Sequence, residues 1–187
     1  MNVTPDLDAR FRAAALAEGL VDVRYDVVDS PVGELFVAAT GRGLCRISYW
    51  PDGMEDALAR TFGPRVLRSP KPAEGALRQL DEYFAGRRRA FELPVDLRLA
   101  RDFGRAVLEE LAHVAYGDVT TYGTLAAKVG RPRAARAVGM VMNRNPVPIV
   151  LPCHRVVGAS GSLVGYAGGL DRKRALLELE GALLPEA

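Results

Sequence analysis

The chain is predicted to be an α+β protein in two parts, an N-terminal unit over residues 1–97 and a C-terminal unit over residues 98–187. Three observations carry that expectation. Between Val23 and Trp50, three short stretches of alternating apolar and polar residues are separated by Gly- and Pro-containing turns, the pattern of an antiparallel meander. From Met54 onward, apolar residues recur mostly at the helical period. The second half then joins a basic helix–turn–helix pattern to a Pro-punctuated apolar run, Asn145 to Val157, that sets a Cys beside a His.

In chain order, residues 6–19 read as a helical extension, with Leu7, Phe11, Ala14, Ala15 and Leu16 near one face and Gly19 as its stop. The strands follow: Arg24 to Asp29, then Glu34 to Thr40, then Leu44 to Trp50, with turns at Ser30–Gly33 and Gly41–Gly43. Cys45 alternates with Ile47 and Tyr49 and is expected in the core, because free Cys is among the most buried residue types. Two helices are expected over Met54–Phe62 and Pro72–Phe84, the second carrying Leu77, Leu80, Tyr83 and Phe84 on one face. The triplet Arg87–Arg89 reads as a solvated loop in preference to a nucleic-acid contact, and Phe91 to Leu97 as extended chain closing the first unit.

The second unit opens with an amphipathic helix over Phe103–Val114, in which His113 is expected at the surface. Thr121 can cap a short helix that Gly130 ends, and Pro132 suits the first turn of a second helix running to Met142. The pair forms a helix-turn-helix pattern whose second member is rich in Ala and Arg. Its small residues Ala134, Ala135, Ala137 and Gly139 would admit either a nucleic-acid groove or a packed helix, and Arg136 among them suits the first reading better. After the Cys segment comes a Gly-rich loop, 158–169, lacking the Gly-Lys-Ser/Thr ending of a phosphate loop. A last helix from Asp171 to Leu179 stops at Gly181, one residue beyond Glu180.

Bulk properties narrow the function classes. Apolar residues make up 49% and charged residues 26%, an ordinary globular balance. No apolar run nears the roughly 20 residues of a membrane helix, and Met1 to Arg12 has no signal-peptide core, so a cytosolic protein is expected. There Cys45 and Cys153 should be free thiols. Residues 1–97 contain 13 Lys/Arg and 15 Asp/Glu, residues 98–187 contain 12 and 8. Within 117–155, six bases (Lys128, Arg131, Arg133, Arg136, Arg144, Arg155) face one acid, Asp118. A basic stretch of that kind suits a phosphate-bearing partner, although from charge alone a solvated face is the better reading.

Cys153 beside His154 suggests an activated thiol, since an imidazole held by a carboxylate can take the thiol proton. Glu180 is the candidate carboxylate. Pro152-Cys153-His154-Arg155-Val156, the preceding Asn145-Pro146-Val147-Pro148-Ile149 and the helix Ala135-Arg136-Ala137-Val138-Gly139 together resemble the O6-alkylguanine-DNA alkyltransferases, and the likeness runs from Gly117 to Gly181. The N-terminal half resembles that family in layout, which implies a ribonuclease H-like fold there.

The resemblance implies direct-reversal DNA repair. One alkyl group passes from guanine O6, or from thymine O4, to Cys153, irreversibly and once per molecule. It casts His154, through a water, and Glu180 as the thiol-activating pair and Asn145 as the brace of the active-site turn. Tyr122 would turn the nucleotide out and donate a proton to the departing guanine. Arg136 would fill the gap in the base stack, and Ala134, Ala135 and Gly139 would lie in the minor groove. Val156, Val157, Tyr166 and Ala167 would form the base pocket, with Ala167 standing where relatives carry a Ser. It implies no cofactor. With one Cys and no His in residues 1–97, no structural zinc is expected there. The expected partner is alkylated duplex DNA, bound by a monomer with no obligate protein partner and with cooperative binding along DNA left open. A non-catalytic lesion binder of the alkyltransferase-like kind, a plain helix-turn-helix regulator and a Cys-His hydrolase are the alternatives. The presence of Cys153 speaks against the first.

Overall fold

The computed structural model describes residue 10 and residues 13–15, 17–69, 73–98 and 100–183. Leu7, Phe11 and Leu16, the expected face of the N-terminal helix, lie outside these residues, as does Pro72. The three expected strands form as β1 (Val23–Val28), β2 (Leu35–Thr40) and β3 (Gly43–Ser48), each antiparallel to the next. A fourth strand, β4 (Val66–Arg68), adds in parallel beside β1, giving the order β3-β2-β1-β4. Three half-buried or exposed residues are too short a stretch to show a periodicity.

All six residues of β2 are buried, because the sheet is covered on both faces. Helix α1 (Met54–Phe62) closes one face through Leu58, packed with Val23, Tyr25, Phe36, Ala38 and Cys45. Leu35, Val37, Leu44, Ile47 and Tyr49 belong instead to the main core. That core continues without a break through α2 (Glu74–Phe84) and α3 (Asp102–Leu111). It runs on into α4 (Tyr122–Lys128), α5 (Ala135–Asn143), the segment Val147–Val156 and α6 (Leu170–Leu179).

The stretch 91–97 runs beside β3 in a short pairing: Leu44 N–H donates to Pro94 O at 2.9 Å and Asp96 N–H to Leu44 O at 2.8 Å. Gly43 allows this approach, since a Cβ there would lie 2.2 Å from Pro94 O. The Arg87–Arg89 loop is only partly solvated, as Arg88 pairs with Glu82 at 2.7 Å and Arg89 lies over the Tyr116 ring.

Thr121 caps α4 as expected, its hydroxyl accepting from Thr124 N–H at 3.1 Å. Gly130, at φ 72°, provides the left-handed stop. The second helix of the pair, expected over Arg133–Met142, begins later, at Ala135, because residues 131–134 form a turn closed by Ala134 N–H on Arg131 O. Thr120–Thr121 (β5) and Val156–Val157 (β6) pair in parallel, which ties the entry of α4 to the segment following Cys153. No helix among the described residues is long and apolar enough to cross a membrane.

Candidate active site

The segment that delivers Cys153 is clamped at both ends. Asn145 follows α5; its Nδ2 donates to Leu151 O at 2.7 Å and its Oδ1 accepts from Val147 N–H at 3.1 Å. Pro146 O accepts from Ile47 N–H of β3 at 2.8 Å. Within this turn Ile149 sits at φ 74°, a left-handed conformation that is costly for a β-branched residue. It persists because the Ile149 side chain is fully buried and Asn145 fixes the turn around it. The chain then enters a single 3₁₀ turn, Cys153–Arg155.

Cys153 is 4% exposed, and burial pushes its thiol up to about 11. The Asn145 side chain and the charge of Lys173 pull part of that rise back. Lys173 is itself fully buried, its Nζ donating to Val156 O at 2.6 Å and Val164 O at 2.7 Å.

Glu180 is brought to His154, as the sequence suggests. His154 Nε2 lies 2.9 Å from Glu180 Oε1, and both side chains are shielded from solvent. Burial alone raises the Glu180 carboxyl, but bonds from His154, Arg155 and Tyr83 outweigh it and leave it at about 2. An ionised carboxylate only accepts, so Nε2 carries the imidazole proton and Nδ1 presents its lone pair. Nδ1 is buried and has no hydrogen-bond partner among the described residues. Burial also lowers the His154 pKa, so the ring is neutral at pH 7 and can accept a proton.

Three partners of this network escaped the sequence reading. Arg155, counted there as a surface base, is 5% exposed. It donates to Glu180 Oε2 and Oε1 at 2.8 Å each and to Val114 O at 2.5 Å, so it leaves the basic surface. Tyr83, read as a core residue of α2, donates its hydroxyl to Glu180 Oε1 at 2.7 Å. Lys173 shares its segment with Arg172 and Arg174 and gives no sign in the sequence of being buried. For Tyr83 a signal existed: a hydroxyl on an apolar helix face must find an acceptor.

In front of Cys153 lies a cavity of about 300 Å³ walled by Tyr122, Gly139, Met142, Val164, Tyr166 and Ala167, with Asn143 and Gly165 at its edge. Val156 and Val157, expected in this pocket, are not among its walls; pairing with β5 packs them into the interior. Tyr166 is held by a 2.6 Å hydrogen bond between its hydroxyl and that of Tyr49. The Tyr122 hydroxyl donates to Val164 O at 3.3 Å, and its ring packs on Gly139, where a Cβ would sit 3.8 Å away. Arg136 is exposed on α5, one turn from the exposed Met140, while Ala134 and Ala135 are half-buried at the helix start.

The chain is similar to known proteins along most of its length. Residues 23–97 match the family model described as 6-O-methylguanine DNA methyltransferase, ribonuclease-like domain, and residues 102–182 match that family's DNA binding domain. A methylated-DNA–protein-cysteine methyltransferase of Mycobacterium bovis is 43% identical over 166 residues, 87% of this chain and 95% of that protein. One from Methanosarcina barkeri is 39% identical over 159 residues, covering 83% and 96%. The crystal structure of Mycobacterium tuberculosis O6-methylguanine methyltransferase matches with a TM-score of 0.76 at 41% identity, over 88% of this chain and 96% of that one. The Mycobacterium tuberculosis OGT in complex with DNA matches with a TM-score of 0.75 at 42% identity, over 84% and 92%. On these matches, which span both halves of the fold and the segment around Cys153, the chain belongs to the 6-O-methylguanine DNA methyltransferase family.

Proposed function

We infer that this protein repairs DNA by moving the alkyl group of O6-alkylguanine onto Cys153, and that O4-alkylthymine is a second substrate. The observation that carries the reading is a nucleophile at the back of a base-sized cavity, with a neutral imidazole and an ionised carboxylate aligned behind it. Residues 1–97 serve as scaffold, and residues 98–187 hold the DNA-binding and alkyl-accepting groups.

The target base is buried in a duplex stack and must be turned out, at a cost of a few kcal/mol. The exposed Arg136 fills the vacated stack, while Ala134, Ala135 and Gly139 let α5 lie close along the minor groove. Lys128, Arg131, Arg133 and Arg144 give phosphate contacts that weaken with salt. One monomer acts on one lesion without an obligate protein partner.

The proton on Sγ passes through a bridging water to Nδ1 of His154, and Glu180 stabilises the imidazolium. Sγ attacks the alkyl carbon in line; the S–C bond forms as the C–O6 bond breaks. Guanine leaves as an anion and is protonated by the hydroxyl of Tyr122. Burial raises the pKa of that hydroxyl, so it remains a proton donor at neutral pH. The proton left on His154 restores Tyr122, and the balance is a thioether and neutral guanine. A thioether does not hydrolyse under these conditions, and the other thiol, Cys45, is buried against α1.

Incubation with duplex containing O6-methylguanine is expected to add one methyl to the intact protein, on Cys153, at a limit of one per molecule. Multiple turnovers, or repair by Cys153→Ala, would overturn the mechanism. Arg136→Ala should lose repair of duplex while still reacting with free O6-alkylguanine.

A further inference from the structure

One wall of the base cavity is held by a contact between the two halves of the chain. Tyr166 lines that cavity and also a smaller one that meets it at Cys153. Tyr49, the residue after β3, lines the smaller cavity and sets its hydroxyl 2.6 Å from that of Tyr166. The two rings converge on Gly168, where a Cβ would lie 2.5 Å from Tyr49 Cε2 and 2.9 Å from Tyr166 Cε1, so only glycine fits. Tyr49 is fixed from behind. The guanidinium of Arg172 lies 5.0 Å from the centre of its ring and 5.1 Å from that of Trp50. Arg172 is in turn anchored on Val32 O at 2.7 Å and on Gly168 O at 2.9 Å.

The pair of hydroxyls carries one proton more than it uses. Burial raises the pKa of both, so each is an O–H at neutral pH. Two phenols joined by a single hydrogen bond leave one O–H without an acceptor. Neither hydroxyl has another hydrogen-bond partner among the described residues. The guanidinium over the Tyr49 ring makes that hydroxyl the readier donor of the two. Tyr49 is also the deeper residue, at 6% exposed, whereas Tyr166 is half-buried and borders the base cavity. An unpaired donor costs least where it is least desolvated. Tyr49 therefore donates to Tyr166, and the unpaired proton belongs to Tyr166.

After burial, the charge of Cys153 is a further cause of the raised pKa at both hydroxyls, so both lie within its field. In-line attack by Sγ sets O6 beyond the alkyl carbon, inside the base cavity, and negative charge grows on O6 as the C–O6 bond breaks.

We propose that the Tyr166 hydroxyl donates a hydrogen bond to guanine O6 during transfer, and that Tyr49 is a positioning residue that fixes and polarises this donor. A donor aimed at the oxygen where charge develops stabilises the transition state more than the bound base. A hydroxyl that already accepts a hydrogen bond donates more strongly. Tyr166 keeps its proton throughout: O6 ends as the carbonyl of guanine, and the departing base is protonated by Tyr122. The inference rests on Cys153 being the alkyl acceptor.

The test is a set of single-turnover rates on duplexes carrying O6-methylguanine or S6-methyl-6-thioguanine, whose sulfur is a weak acceptor. Wild type is compared with Tyr49→Phe, Tyr166→Phe and the double variant, all of which keep both rings. On O6-methylguanine, Tyr166→Phe is expected to lose about a hundredfold, the scale of one oxyanion donor. Tyr49→Phe is expected to lose about tenfold, the scale of one neutral hydrogen bond. Both losses should shrink to a few-fold at most on the sulfur substrate; a general loss of folded protein would cancel in the ratio of the two substrates. The double variant should be no slower than Tyr166→Phe alone, because Tyr49 acts only through Tyr166. Equal losses on the oxygen and sulfur substrates would overturn the proposal. So would losses that multiply in the double variant, which would leave Tyr49 as a tie between the two halves. Failure of wild type to take the methyl group from O6-methylguanine onto Cys153 would instead sink the acceptor reading.

Discussion

Two buried thiols with similar titration behave differently because of what adjoins them. Burial pushes Cys45 up to about 12 and Cys153 up to about 11. Cys45 spends its proton on Ala38 O at 3.4 Å within an apolar cluster, whereas Cys153 opens onto two cavities near the Lys173 charge. Neither is a thiolate at neutral pH in the free protein. Reactivity therefore belongs to the complex with DNA, where the alkyl carbon is in place as His154 takes the proton. Labelling of Cys153 by iodoacetamide is expected to be slow at pH 7 and to rise about tenfold per pH unit toward its pKa near 11, read by peptide mass spectrometry. Rapid labelling at pH 7 that levels off would show a preformed thiolate and contradict this account. The strained Ile149 has a related role: a turn over-determined by Asn145 and by burial can hold Sγ in one position while the duplex is remodelled outside it.

At the scale of elements, α2 in the first half reaches the carboxylate at the end of α6, through the Tyr83 hydroxyl on Glu180. Tyr83→Phe keeps the ring contacts with Phe84, Phe91 and Tyr116 and removes one donor. The expected cost in stability is about 1–3 kcal/mol, and repair should slow about tenfold. A carboxylate with fewer donors is easier to protonate, so the acid limb of the pH–rate profile should also move to higher pH. A rate loss with an unmoved profile would reduce Tyr83 to a packing residue. This link was not legible in the sequence, because it joins residues 97 apart and depends on how helices cross. The Cys153–His154 pair was legible because the two are adjacent in a proline-restricted segment, whereas the brace by Asn145 was expected from the family resemblance alone. Glu180 was legible as a position beside a helix-ending Gly, and β1 to β3 through alternation between Gly turns. Strand β4 was too short to show a period.

For the whole molecule, two family models meet near residue 100, yet one core runs from β2 through α6. Unfolding one half would expose the other half's share of Leu35, Val37, Tyr83, Leu111 and Leu176, so the halves should unfold together. Trp50, the single tryptophan, reports on the first half, and access of a thiol reagent to Cys153 reports on the second. Their denaturant midpoints should coincide; separated midpoints would mean two independent units. The same coupling shapes the acid response. Glu180 is held at about 2, below its ordinary 4.5, so between these values the unfolded chain binds the proton and the native protein does not. Its contribution is complete above about pH 4.5 and disappears as the pH falls toward 2. Asp96, held at about 2 by its bond from Arg98, titrates in the same window. Glu180→Gln should therefore be less stable than wild type at pH 7, and its stability should fall less steeply between pH 4.5 and 2, with the slope due to Asp96 remaining. If both proteins lose stability along parallel lines through that window, Glu180 does not carry the charge that its partners in both halves are arranged to hold.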